Sequence, residues 1–227
     1  MEKAETWLYK TLQYRFDDAA LLRQALTHRS AAGGNNERLE FLGDAILDFV
    51  ISEALYHARP DASEGDLSRL RSALVKDVTL AGIATELELG MHIILGGGER
   101  KTGGHRRQSI LADAVEAIFG AIFLDRGYAE AKDVIERVYA SRLRDLPDVE
   151  ALRDPKTRLQ EWLQARQMSL PIYELVSSTG EDHRQKFEVS CAVTEVPTPT
   201  TGTSTTRRKA EQKAAAKMLT ILLQDVS

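Results

Sequence analysis

The sequence predicts a mainly α-helical protein, an all-α domain followed by a small α+β domain. Three observations carry this expectation. Segments with apolar residues at helical spacing follow one another to about residue 145. Aromatic residues make up only 6% of the chain against 43% hydrophobic residues, so Leu, Ile, Val and Ala must supply most of the core, which suits helix packing. Near residues 147–155 the pattern breaks, with a proline at each end, and the order becomes helix, strands, helix.

Taken in order, Asp17–Arg29 carries Leu21, Leu22, Ala25 and Leu26 at helical spacing. Glu37–His57 is a long amphipathic run that ends near Pro60. Ser63–Glu88 continues the pattern through Leu67, Leu70, Leu74, Val78 and Leu80. Ser109–Leu124 is nearly all apolar apart from Asp113 and Glu116, and Tyr128–Arg144 is a further amphipathic helix. The expected boundaries are a first domain over 1–146, a linker over 147–153 and a second domain over 154–227. In the second domain Lys156–Arg166 reads as helix, Tyr173–Ser178 and Lys186–Ala192 as strands, and Arg207–Leu223 as a strong helix after the Thr-rich stretch VPTPTTGTSTT.

The single cysteine, Cys191, excludes a disulfide framework within the chain and argues against cysteine-ligated zinc. It reads as a small core residue of a strand. Residues 1–16 contain no apolar stretch of signal-peptide length, and no run approaches the roughly 18 apolar residues that span a bilayer. A soluble, cytoplasmic protein with no membrane partner is expected. The net charge is −4, but it is unevenly spread: 10 basic and 9 acidic residues from Asp154 onward, against 20 and 25 before it. The two parts are expected to do different work.

Glu37, Glu40, Asp44 and Asp48 lie in NNERLEFLGDAILDF. At about 100° per residue they fall within an arc of roughly 80° on one helix face. One reading is a solvated face with basic neighbours such as Arg38. The second helix adds weight to another. Asp113 and Glu116 sit three apart in SILADAVEAIFGAIFL, a segment apolar enough to be buried. Burying two unpaired carboxylates costs several kcal/mol or more, and no Lys or Arg lies between Ser109 and Leu124 to offset it. A divalent metal shared by the two helices would serve both clusters, and hard oxygen ligands favour magnesium or manganese.

These segments resemble a known family. NERLEFLGD (36–44), ALTHRS (25–30), EGDLSRLRS (64–72), GGGERKTGG (96–104) and SILADAVEAIFGAIFLD (109–125) are similar, in order and spacing, to ribonuclease III of bacterial type. The region from Asp154 resembles a double-stranded-RNA-binding domain. The resemblance implies an all-α endonuclease domain that homodimerises, followed by an α-β-β-β-α binding domain. It implies Asp44 and Glu116 as active-site residues and Glu40, Asp113 and Glu116 as ligands of Mg2+, with Mn2+ as a substitute. Glu37 and Glu64 match two further acidic positions, and Phe41 matches an aromatic residue that packs into the partner subunit. The products implied are 5′-phosphate and 3′-hydroxyl ends with a short 3′ overhang, and the family's work includes rRNA precursor and mRNA processing.

Lys156–Arg166, TGEDHRQ and RRKAEQKAAAK resemble the three contact regions of such a binding domain. Gln160, Glu161 and His183 suit minor-groove contacts with duplex RNA, which is read by shape and 2′-hydroxyls. Arg207, Arg208 and Lys209 open the last helix, where cations are unfavourable without an anionic partner such as phosphate. Ser204, Thr206 and Glu211 depart from the common pattern. GGGERKTGGHRRQ (96–108) fails the phosphate-loop spacing and reads as a glycine-rich loop, either plain surface or touching RNA backbone through Arg106 and Arg107. The expectation is a magnesium-dependent endoribonuclease on double-stranded RNA. Its rivals are a protein that holds duplex RNA without cutting it, and a general nuclease.

Overall fold

The computed structural model describes residues 2–180 and 185–224. The chain forms two compact units, residues 1–149 and 150–227. The first is helical: α1 (Glu2–Leu12), α2 (Ala19–Ala25), α3 (Glu37–Ala58), α4 (Glu64–Val75), α5 (Asp77–Glu86), α6 (Gly97–Lys101) and α7 (Gln108–Arg144). A short α8 (Val149–Leu152) precedes α9 (Pro155–Gln164), strands β1 (Ile172–Thr179), β2 (Lys186–Ala192) and β3 (Thr200–Ser204), and α10 (Arg207–Gln224). Among the described residues no helix is long and apolar enough to cross a membrane.

The first unit is organised on the packing of α3 against α7. Two glycines set how closely they approach. A Cβ added at Gly43 would stand 1.8 Å from the Glu116 carbonyl oxygen, and one at Gly120 would stand 2.2 Å from the Leu39 carbonyl oxygen. Each helix therefore seats its backbone in a gap that only glycine leaves open on the other. Leu47, Ile51, Leu55 and Phe119 fill the fully buried core around this contact, each contributing about 1.5–3 kcal/mol of burial.

Gly127, with φ +81°, breaks α7 into the two helical runs expected from the sequence. Two residues earlier, Asp125 ties α7 to the N-terminal segment. It accepts hydrogen bonds from the Tyr14 hydroxyl (2.6 Å) and from the backbone N–H groups of Asp17 (2.9 Å) and Asp18 (3.0 Å).

Two helical expectations need correction. The run Ser63–Glu88 is not continuous, because Lys76 is extended (φ −65°, ψ 151°) and separates α4 from α5. No proline or glycine marks this break. The turn lets α4 pack on α3 while α5 packs on α7, burying Leu70 and Leu74 on one side and Leu80 and Ile83 on the other. The helical part of Asp17–Arg29 is only Ala19–Ala25, capped by the Asp18 carboxylate on the Ala20 N–H. Thr27 then leaves the helix and bridges Ile94.

In the second unit the sheet order is β1-β2-β3, antiparallel throughout. Its inner face packs on α9 and α10 around Leu159, Leu163, Cys191, Met218 and Leu222. β3 lies within the Thr-rich stretch. Beside its pairing with β2 it packs closely on α10: Thr200 is buried and donates from Oγ1 to the Ala214 carbonyl (2.8 Å), and a Cβ at Gly202 would stand 2.2 Å from the Ala210 carbonyl oxygen.

Candidate active site and RNA-facing groove

The glycine contact brings the acidic face of α3 onto that of α7. Glu40, Asp113 and Glu116 each present a carboxylate oxygen, and these three atoms lie within 4.8 Å of one another. All three residues are half-buried. Among the described residues, none of these three or Asp44 has a Lys, Arg or His partner within 4 Å, and Arg38 pairs with none of them. Glu37 and Asp44 are exposed, as the solvated-face alternative has it, whereas Glu40 is drawn in towards Asp113 and Glu116.

Crowded like charges raise their own affinity for protons. Burial pushes the Glu116 carboxyl up to about 8, helped by the charges of Asp44, Glu40, Asp113 and Asp77. Glu40 is raised by burial, then by Asp113, Glu37 and Asp44, with Arg29 opposing. Asp113 is raised by burial and by Asp77, with His28 and Arg29 opposing. Three hard oxygens at this spacing, short of positive charge, fit a divalent cation of the magnesium class.

A cleft of about 730 Å³ opens beside Glu40 and Asp113, with Glu116 and Asp44 outside its lining. His28, Arg29 and Arg107 line it together with Glu37, Glu40, Glu99 and Asp113. Glu37 sits on its rim, accepting from Asn35 Nδ2 (2.9 Å) and lying 3.6 Å from Arg29. The structure does not bring Glu64 to the cluster. It is exposed at the start of α4, accepts from Ser68 Oγ (2.9 Å) and does not line the cleft. Asp48, the last acid of the α3 face, has a buried Oδ1 with no hydrogen bond; burial raises its carboxyl and Arg71 opposes the shift. Phe41 projects from α3 with 79% of its surface exposed, and Phe49 and Tyr56 continue an exposed aromatic stripe along the helix.

Sequence reasoning missed Asp77, whose charge acts on both Asp113 and Glu116. An acid opening a helix is ordinary, and only the break at Lys76 gives this one its place. The glycine-rich segment 96–108 also differs from a plain loop. It folds into α6 and a 3₁₀ turn at Gly104–Arg106, with Arg107 Nη1 held 2.8 Å from Glu99 Oε1.

In the second unit, a groove of about 630 Å³ lies between α9 and the start of α10, lined by Asp154, Lys156, Thr157, Gln160, Arg207, Arg208 and Glu211. Gln160 and Glu161 are exposed on α9, and Glu161 Oε2 lies 3.4 Å from Arg153. Arg207, Arg208 and Lys209 are exposed on the first turn of α10. Arg207 pairs with Glu211 at 3.1 Å, and Arg208 lies 4.0 Å from Asp154. His183 falls outside the described residues.

Comparison with known proteins accords with this division. The Ribonuclease-III-like family model matches residues 18–143, and the double-stranded RNA binding motif matches 155–222. A ribonuclease 3 of Alkalilimnicola ehrlichii is 55% identical over 93% of each chain. One from Glaesserella parasuis is 53% identical over 95% of this chain and 96% of its own. Among solved structures, the nuclease domain of Campylobacter jejuni ribonuclease III, described with structural flexibility in a region involved in dimer formation, is 48% identical. It covers 60% of this chain and 95% of its own with a TM-score of 0.58. With a helical unit bearing two converging acidic faces, a following α-β-β-β-α unit, and these relatives along nearly its whole length, the chain belongs to the ribonuclease III family of double-strand-specific endoribonucleases.

Proposed function

We propose that the protein hydrolyses phosphodiester bonds in double-stranded RNA with Mg2+, or Mn2+ in its place, held by Glu40, Asp113 and Glu116. Asp44 and Glu116 are the catalytic pair, and Glu37 is a supporting acid at the rim of the cleft. The observation that carries this reading is the set of three carboxylate oxygens within 4.8 Å of one another, none of them ion-paired to a Lys, Arg or His within 4 Å among the described residues. The ion, when bound, would shield the phosphate charge, lower the pKa of water and stabilise the leaving oxygen. The residues of the chain have the complementary task. Glu40, Asp113 and Glu116 fix the ion, and Asp44 aligns the attacking water. Water oxygen bonds to phosphorus as the P–O3′ bond breaks, leaving a 5′-phosphate and a 3′-hydroxyl.

Two such sites in a homodimer, joined through the exposed Phe41 of each copy, would cut both strands and leave a short 3′ overhang. The first domain spans 1–146, the linker 147–153 and the RNA-binding domain 154–227. The last contributes Gln160, Glu161, His183, Arg207, Arg208 and Lys209 to the duplex. Precursor rRNA and mRNA in the cytoplasm are the substrates that fit this activity. The test is cleavage of a long RNA hairpin with magnesium and with chelator, followed by mapping of the product ends. Cutting that persists in chelator, or products with 3′-phosphates, would defeat the assignment. Duplex binding without cutting in magnesium would favour the non-catalytic rival.

A further inference from the structure

We propose that Glu211 competes with RNA phosphate for Lys156 and Arg207, and so sets the affinity of the groove between α9 and α10. The proposal rests on the reading that this groove faces duplex RNA. Lys156 Nζ lies 2.5 Å from Glu211 Oε2, and Arg207 Nε lies 3.1 Å from Glu211 Oε1. Both oxygens of one carboxylate are therefore taken by two of the cations that line the groove. The side chain is only 14% exposed, and both contacts are charge-assisted hydrogen bonds. A phosphate bound at this place would need the same two donors.

The other acid of the groove behaves differently. Asp154 caps α9 by accepting from the Lys156 N–H (2.8 Å), and it accepts from Gln212 Nε2 (2.7 Å). Those bonds belong to the fold, one capping α9 and the other tying it to α10. Glu211 has no backbone donor among the described residues; Lys156 and Arg207 are its partners. It can turn away without opening the fold. Lys156 keeps a second hold when this happens, since its ammonium stands 4.2 Å above the Tyr173 ring. Lys156 then remains aimed at the groove, and the charges of both cations are uncancelled.

The consequence can be counted in charge. With Glu211 in place the three side chains present a net +1 to the RNA, and without it +2. One additional phosphate neutralised steepens the dependence of log affinity on log salt by about 0.9. The experiment uses the full chain in chelator, so that RNA is bound and not cut, with a blunt RNA duplex titrated by fluorescence anisotropy across a salt series.

Glu211→Gln is expected to bind roughly five- to tenfold more tightly at low salt, with the slope steeper by about 0.9. Equal or weaker binding by a Glu211→Gln protein with an unchanged melting temperature would overturn the proposal, and Glu211 would then be a positioning residue for Lys156. If that variant melts early, Glu211→Asp serves instead. It keeps the charge but is too short to bridge both cations, so tighter binding at an unaltered slope supports competition and equal or weaker binding refutes it. A Lys156→Gln/Arg207→Gln protein separates the underlying reading. Affinity should fall at least tenfold if the groove faces RNA, and an unchanged affinity would remove the groove from the interface altogether.

Discussion

The acidic cluster of the first unit and the basic groove of the second are built from the same kinds of side chain with opposite electrostatic logic. In the cluster, Glu40, Asp44, Asp113 and Glu116 have no ion-pair partner among the described residues, and three of them are raised first by burial and then by neighbouring acids, Asp77 in the case of Asp113. In the groove, Asp154 and Glu211 are both held below their ordinary range by the donors around them, Gln212 and the Lys156 N–H for one, Lys156 and Arg207 for the other. The first site is left short of positive charge and offers three carboxylate oxygens that could hold an ion from solution. The second has its acids already paired with its own cations and donors and keeps a net positive charge. A carboxylate near a functional surface is therefore informative only through what surrounds it.

The sharpest way to break this contrast is Glu116→Gln. Cleavage is expected to fall by roughly 10³-fold or more, equivalent to about 4 kcal/mol of transition-state stabilisation, while duplex binding stays within about twofold of the parent. Cleavage at the parental rate in magnesium would mean that the cluster is not the catalytic centre. Next comes Gly43→Ala, which puts a methyl group where the Glu116 carbonyl oxygen now lies. Parting the helices should cost about 2–4 kcal/mol of stability and lower the affinity for Mn2+. A melting temperature equal to the parent's would show that the close approach is not needed.

The pH dependence of stability should have opposite signs in the two regions. Glu116, raised from 4.5 to about 8, keeps a proton in the folded state that the unfolded chain releases. Its stabilising contribution is complete below about 4.5 and is lost as the pH climbs to about 8. Metal-free protein should therefore melt a few degrees lower, roughly, at pH 8 than at pH 5. Magnesium should restore the loss, and Glu116→Gln should abolish it. Asp154 and Glu211 are lowered, so their contribution is present above the ordinary carboxylate range and lost on acidification below it. Trp7 and Trp162 lie in different units, so Trp162→Phe and Trp7→Phe proteins allow each to be followed by fluorescence. Transitions that shift with pH in the same direction would contradict the contrast.

The smallest expected effect is that of Asp77→Asn. Removing one charge that acts on Asp113 and Glu116 should weaken Mn2+ binding by about fivefold, on the order of 1 kcal/mol, read by electron paramagnetic resonance. An unchanged affinity would place Asp77 outside the ion's field.

What could be read from the sequence was what local spacing controls. The arc of acids on α3 and the Asp113/Glu116 pair on α7 follow from the helical repeat, and their burial follows from the apolar residues around them. The break at Lys76 could not be read, because that residue suits a helix and the turn is imposed by α3 and α7 on either side. The strand of β3 is hidden for a similar reason. Threonine and glycine suit it to a polar edge, and the Thr200 and Gly202 contacts that hold it belong to α10. Asp77 depends on the Lys76 break and was invisible with it. Glu64 shows the opposite case, a motif position that the fold of one chain does not carry to the cluster.

The Asp125 knot has a practical corollary for anyone trimming the molecule. The family match begins at residue 18, yet two of the three donors to this carboxylate, the Tyr14 hydroxyl and the Asp17 amide, lie upstream of that point. A fragment started at the family's edge would strand an acid that those donors now satisfy, at the end of the very rod that bears Asp113 and Glu116. The N-terminal segment thus serves as a guy-rope for α7, and a fragment that keeps all three of these bonds begins ahead of Tyr14.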